Sequence, residues 1–145
     1  MDDPFTDLAN ISIFNCETEQ DEELLLQLYF GRAPSTLEMA RLSLMKLPIK
    51  IFYALEFLGV GAKNPPKDAI KHQVTPKSYM HFGRHDGTMV SPADFLNYAE
   101  ALLEEVIVYS SSLQYARDLE IVSASVPNHS PATFEFNNSA LKFPN

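Results

Sequence analysis

The first regular pattern along the chain is an acidic turn followed by a leucine-rich segment. Residues 18–23 read TEQDEE, and the segment that follows, LLLQLYF, is almost entirely apolar. Acidic residues stabilise the positive end of a helix dipole, and Gly31 stands where a glycine commonly ends a helix. The pattern therefore predicts a first helix over about residues 19–30.

A second, longer apolar segment begins after a capping sequence. Residues 35–38, STLE, match the capping box, in which a serine and a glutamate satisfy each other's backbone amides. Apolar residues on nearly every side of the segment predict a central helix over residues 36–58, ended by Gly59 and Gly61. Pro48 cannot donate a backbone hydrogen bond, so we expect a break in this helix there.

The third helix is predicted after Ser91, where a cap serine precedes Pro92 at the first helical position. A helix over residues 92–117 would be roughly 39 Å long, so it either breaks at residues 110–112 or projects from the fold. Its apolar residues alternate steps of four and three, which defines a heptad seam. The seam consists of Phe95, Ala99, Leu102, Val106, Tyr109, Leu113 and Ala116.

The heptad seam has two interpretations. We favour an intramolecular face on which this helix packs against the rest of the chain. The alternative is the interface of a homodimer. In that case the interface residues would be Phe95, Leu102, Val106, Tyr109 and Leu113.

Short β-branched segments predict a small β element. Residues 11–14 suggest an edge strand, and residues 120–126 and 133–136 suggest two strands in the C-terminal tail. The fold class predicted for the chain is therefore α+β and mainly α, with at least three helices and a small β element from the tail. We expect residues 1–145 to form a single domain.

Charge is unevenly distributed along the 145 residues, which carry a formal net charge of −8. Residues 1–30 hold eight acidic residues and no Lys or Arg, while residues 31–90 carry a net charge of +5 and residues 91–145 a net charge of −5. The composition, 46% apolar and 21% charged, is typical of a globular protein. The middle of the chain is therefore a basic stretch within an acidic protein.

The basic stretch, which is densest over residues 63–85, also has two interpretations. We favour neutralisation by the acidic N-terminal and C-terminal parts of the chain folding against it. The alternative is an anion site for phosphate, a nucleotide or an RNA backbone. The residues of that anion site would be Lys71, Lys77, His81, Arg84 and His85.

The sequence contains no motif of a known catalytic class. A nucleophile elbow, a phosphate-binding glycine loop, a dinucleotide fingerprint and an HExxH pair are all missing. His81, His85 and Asp86 are metal-ligand types, but the glycines among them disfavour the helix that would align the two histidines. Cys16, the single cysteine, is typical of an inert buried thiol. We therefore assign no catalytic residue, no metal site and no cofactor.

These observations predict a small cytoplasmic interaction or regulatory protein that acts through protein–protein contacts, without enzymatic activity. Its partner would be another protein or a second copy of itself. The alternative is a phosphate-recognising protein, either an RNA or nucleotide binder or a phosphodiester hydrolase. No membrane is expected as a partner, since residues 37–60, the most apolar stretch, carry five charges and Pro48. We expect a cytoplasmic location, because the acidic start, MDDP, is unlike a leader sequence.

Overall fold

The computed structural model of the protein describes residues 3–63 and 92–126, which form five α-helices. These are α1 (Pro4–Asn15), α2 (Glu19–Phe30), α3 (Thr36–Lys63), α4 (Pro92–Ser110) and α5 (Leu113–Ser125). The described residues contain no strand, so the mainly helical class is confirmed and the small β element is not supported. Among these helices, none combines the length and apolar character that crossing a membrane requires.

Helix α1 includes residues 11–14, so the edge strand predicted there is wrong. Asp3 caps the helix, and its Oδ1 accepts a hydrogen bond from the amide of Phe5 at 3.0 Å. The buried residues of α1 share one helical face and are Phe5, Leu8, Ala9 and Ser12. Packing of this face against α2 and α3 outweighs the β preference of the branched side chains nearby.

The prediction for α2 and for the start of α3 is confirmed by the caps. Thr18 Oγ1 accepts a hydrogen bond from the Asp21 amide at 3.2 Å, and Asp21 Oδ2 accepts one from the Thr18 amide at 2.9 Å. Gly31 follows α2 with a φ of 69°, which glycine adopts without steric cost. The amides of Ser35 and Glu38 are satisfied reciprocally at 2.7 and 3.3 Å, which fixes the start of α3.

Helix α3 continues through Pro48 without interruption, so the predicted break is wrong. Pro48 is exposed. On a solvent-facing side of a helix, a proline removes one ladder hydrogen bond without displacing a packed neighbour. The helix is therefore preserved because Pro48 faces away from the core. The local sequence pattern does not show which side of the helix faces the core.

The predicted end of α3 at residue 58 is also wrong, because Gly59 and Gly61 lie inside the helix. Gly61 is buried against α4. A Cβ at this position would lie 2.6 Å from Cγ of Leu96 and 3.1 Å from the carbonyl oxygen of Pro92. Gly61 therefore permits close approach of two helices rather than ending one.

The predicted helix over residues 92–117 is two helices, because the chain turns at residues 111–112. Ser112 caps α5: its Oγ accepts a hydrogen bond from the amide of Tyr115 at 3.1 Å and donates one to the carbonyl of Tyr109 at 2.7 Å. Helix α5 extends to Ser125, so the strand predicted over residues 120–126 is wrong. The second predicted tail strand, residues 133–136, lies outside the described residues.

Helix α3 is central, and its two halves organise two clusters of buried residues. In the first half, Leu42 packs with residues of α1 and α2. In the second half, Ala54 packs with Tyr98, Ala99 and Leu102 of α4. The predicted central helix thus supplies the surface on which the other four helices assemble.

Candidate functional site

A cleft of about 710 Å³ lies against α3 and is lined by residues from all five helices. Many of its lining residues are charged or polar, and it is called here the polar cleft. The charged side chains in its centre and along its wall include Glu22, Lys46, Lys50, Glu105, Arg117 and Asp118. What the cleft can bind depends on how many of these charges are already paired.

Glu22 joins three helices through one carboxylate oxygen. Its Oε1 accepts hydrogen bonds from Oγ of Ser12 at 2.7 Å and from Nζ of Lys46 at 2.5 Å. Ser12 is buried, and the Glu22 and Lys46 side chains are only 15% and 18% exposed. Because each charge is satisfied by the other, this part of the cleft is structural.

The ion pair of Lys50 with Glu105, 2.7 Å long, ties α3 to α4. The pair belongs to the lining of the polar cleft and also to that of a second cavity of about 500 Å³ between the two helices. This second cavity, called here the α3–α4 groove, is lined also by Leu47, Ala101, Val108 and Glu104. The two cavities are therefore neighbours that share this ion pair.

The α3–α4 groove runs between antiparallel helices. Gly61 meets Leu96 near one end, and Lys50 pairs with Glu105 further along, so increasing numbers on α3 face decreasing numbers on α4. Continuing this register places Leu47 near Val108, and both line the groove. The groove therefore follows the axes of two packed helices.

Apolar side chains are exposed in the groove and on the adjoining surface of α3. Leu47 and Val108 line the groove, and Val108 is 64% exposed. Ile51 and Leu55 follow Leu47 at intervals of four residues, which places them on one stripe of α3 that continues beyond the groove lining. Ile51 is 40% exposed and Leu55 is 62% exposed. The groove and this stripe together indicate an unpartnered contact surface.

Asp118 is the buried acid of α5. It is 3% exposed, and its Oδ2 and Oδ1 accept hydrogen bonds from the Tyr109 hydroxyl at 2.6 Å and from Nε2 of Gln114 at 2.8 Å. Burial and the Asp118 carboxylate raise the pKa of the Tyr109 phenol well above its usual range, because both disfavour the phenolate. Tyr109 is therefore a stable donor that holds α5 against α4.

The predicted seam residues do not share one surface. Leu102 is 1% exposed and packs in the core beside α3, while the ring of Phe95 lies 5.7 Å from that of Phe57 on α3. Val106 and Tyr109 are partly buried, and Leu113 is 91% exposed. The first part of the seam is thus an intramolecular packing face, whereas Leu113 lies beyond the turn at the start of α5.

All five residues of the predicted anion site lie outside the described residues, and so do the metal-ligand types near them. They are Lys71, Lys77, His81, Arg84, His85 and Asp86. Within residues 3–63 and 92–126, no group of three or more His, Cys, Asp or Glu side chains could hold a metal ion. The phosphate-recognising alternative stays a prediction from sequence.

Cys16 lines the polar cleft but is not activated as a nucleophile. Burial raises the pKa of its thiol, and the nearby carboxylates of Glu22 and Asp21 raise it further. A reactive cysteine needs the opposite environment, in which a cation or a helix N-terminus stabilises the thiolate. The expectation of an inert thiol at Cys16 agrees with these surroundings.

Sequence reasoning missed the ion pairs that connect the helices. The acidic N-terminal part pairs with α3, through Asp3 with Arg41 and Glu22 with Lys46, and α4 pairs with α3 through Glu105. The segregation of charge along the chain indicated neutralisation of a basic stretch, but it placed the partners in residues 63–85. The three cations of α3 in these pairs, Arg41, Lys46 and Lys50, lie next to apolar residues that pack against other helices. Their spacing relative to those apolar residues along α3 is the signal that could have identified them.

Two surfaces therefore remain as candidates for function. In the polar cleft Glu22 and Lys46 are paired with each other and the buried Asp118 is held by two hydrogen bonds, whereas the α3–α4 groove exposes the apolar side chain of Val108 next to charged ones. Comparison of the chain with protein-family models, with curated proteins and with solved structures finds no match.

Proposed function

We propose that this chain is a non-enzymatic interaction protein whose α3–α4 groove binds an amphipathic helix of a partner protein. The observation that carries the proposal is the exposure of Val108 in a groove between two packed helices, next to the exposed Ile51 and Leu55 on the α3 stripe of the groove residue Leu47. Exposed apolar surface of this kind marks protein contact sites in soluble proteins. A helix is the favoured occupant because antiparallel helices offer a straight groove, which anchors at i, i+3, i+4 and i+7 can fill.

The exposed side chains are sufficient for a weak, specific contact. Fully burying a large aliphatic side chain is worth about 1.5–3 kcal/mol, so burying the exposed parts of Ile51, Leu55 and Val108 supplies roughly 3 kcal/mol. Apolar anchors on the partner contribute a similar gross amount, and part of the total offsets the entropy lost on association. We therefore expect dissociation constants near the millimolar range, where 1 mM corresponds to about 4 kcal/mol.

The test uses a labelled synthetic peptide of about five helical turns, with leucines on one face and Gln and Ala elsewhere. Fluorescence anisotropy gives its affinity for the full chain, and amide chemical shifts show where it binds. We expect the variants Leu47→Glu and Val108→Asp to weaken binding by about tenfold or more, because each places a charge among the apolar residues that line the groove. Leu28→Glu is the matched control: Leu28 is 75% exposed on α2 and lies outside the groove.

Sedimentation of the parent chain tests the alternative occupant of the groove, which is a second copy of this chain. A second copy in the groove would give a dimer that Val108→Asp dissociates, and this result would overturn the proposal of a separate partner. Failure of the peptide to bind would also overturn the proposal. So would a Leu28→Glu variant that weakens peptide binding as much as the groove variants do. Chemical-shift changes confined to residues of α3 and α4 around the groove would support the proposal.

A further inference from the structure

We infer that the partner helix is basic and carries Lys or Arg beside its apolar face. This inference rests on the proposed function and adds the chemistry of the partner to it. It follows from which charges of the α3–α4 groove are paired within residues 3–63 and 92–126 and which are not.

The positive charges of the groove are neutralised internally. Lys46 lines the groove, but its Nζ lies 2.5 Å from Oε1 of Glu22. Lys50 also lines the groove, and its Nζ lies 2.7 Å from Oε2 of Glu105. Both lysine side chains are only 18% exposed, so neither offers an open site for an acidic partner.

The negative charge of Glu104 in the groove is not neutralised by any cation of the described residues. Glu104 lines the groove, is exposed and forms no ion pair within the described residues. Glu100 is exposed one turn earlier on α4 and likewise forms no ion pair there. Glu100 does not line the groove, but residues four apart are neighbours on a helix surface, so its carboxylate extends the negative charge of Glu104 along α4.

The other cations of the described residues do not cancel the negative charge at the groove. Of its six Lys and Arg residues, the four that form ion pairs are Arg32, Arg41, Lys46 and Lys50. The other two, Lys63 and Arg117, do not line the groove. A helix with Lys or Arg along its polar edge would therefore meet opposite charge, whereas an acidic helix would meet like charge.

The experiment compares three peptides that share one leucine face and differ only at the flanking positions, which are all Lys, all Gln or all Glu. At about 50 mM salt we expect the Lys peptide to bind at least about tenfold more tightly than the Glu peptide. At about 500 mM salt this ratio should fall to about threefold or less, because exposed charges are screened. The Gln peptide should lie between the two at low salt.

Charge-reversal variants locate the effect. The double variant Glu100→Lys, Glu104→Lys should reverse the order of the Lys and Glu peptides. The matched control, Glu23→Lys, Glu120→Lys, changes the net charge equally with exposed residues outside the groove and should preserve the order. A control that reverses the order as strongly would overturn the inference, because net charge rather than the groove edge would be responsible.

The outcomes separate this inference from the function on which it rests. Binding of all three peptides with equal affinity at low salt would overturn the basic partner and leave the groove as a binding site. Binding of none of them would overturn both. Tighter binding of the Glu peptide to the parent chain would assign the opposite partner chemistry and overturn the inference alone.

Discussion

Replacement of Tyr109 by phenylalanine tests whether a single buried hydrogen bond holds α5 in place. The change removes only the hydroxyl that donates to Oδ2 of Asp118 at 2.6 Å. Asp118 keeps the hydrogen bond from Gln114 to its other oxygen. At 3% exposure, Asp118 has little access to replacement water. The variant therefore leaves one buried carboxylate oxygen without its donor.

The size of the effect follows from the charge of the acceptor. Hydrogen bonds to charged groups contribute about 1.5–3 kcal/mol, and Tyr109 is only partly buried, so we expect a loss of about 2 kcal/mol in the free energy of unfolding. Tyr115→Phe is the matched control. The Tyr115 ring lies 5.7 Å from the Tyr109 ring, yet no hydrogen bond of its hydroxyl is found within the described residues. Its loss should cost under about 0.5 kcal/mol.

Urea unfolding followed by far-ultraviolet circular dichroism measures both variants against the parent chain. The Tyr109→Phe midpoint should shift to lower urea at an unchanged slope, because the surface exposed on unfolding is the same. Amide exchange in α5 should accelerate, since this helix buries only Asp118 completely. If Tyr109→Phe and Tyr115→Phe unfold at the same urea concentration, the hydrogen bond does not hold α5 and the reasoning is refuted.

Three further predictions concern pH and the central helix. The raised pKa of Tyr109 means that stability present below about pH 10 is lost as the pH rises further, and Tyr109→Phe should flatten this alkaline decline in urea melts. The Arg32 guanidinium lowers the pKa of Glu38 to about 2, so Glu38→Gln should flatten the loss of stability between about pH 4.5 and pH 2; an unchanged acid limb would contradict the pairing. Pro48→Ala should restore a helical amide and stabilise the chain by about 1–3 kcal/mol, with slower amide exchange at residues 47–49, whereas faster exchange would contradict it.

Local sequence predicted those helix boundaries that are encoded by side chains within one turn. Thr18 with Asp21, and Ser35 with Glu38, satisfy the backbone amides of the same helical turn, so their effect is independent of the rest of the fold. Gly31 acts equally locally, through a backbone conformation that other residues avoid. These three features account for why α2 and the start of α3 were predicted correctly.

Boundaries that depend on tertiary packing were predicted wrongly. Gly61 and Gly31 look alike in sequence, but only the contact of Gly61 with α4 explains why it lies inside a helix. Residues 11–14 and 120–126 have strand-like composition, yet residues 11–14 lie in α1 and residues 120–125 in α5, and both helices pack against α3. β-propensity describes the fit to a half-buried sheet, and no sheet forms in the described residues to receive these segments.

The candidate groove was predicted only in part. The heptad seam on α4 identified Leu102 as a packing residue, and it is buried beside α3. The exposed edge of the groove could not be predicted, because Leu47 and Val108 are distant in sequence and adjacent only through the antiparallel register of α3 and α4. The same holds for Lys50 and Glu105, which are 55 residues apart.

Gly61 has no side chain, and this sets the spacing of α3 and α4 at one end of the helix pair. A methyl group there would act as a wedge, since it would meet Leu96 at 2.6 Å and the backbone of Pro92 at 3.1 Å. Helices are stiff, so a wedge at one end of a packed pair changes the inclination of the whole pair rather than the local contact alone. The width of the groove near Leu47 and Val108 is thus adjustable from a position that no ligand would touch. The substitution Gly61→Ala would therefore open the groove without changing any of the residues that line it.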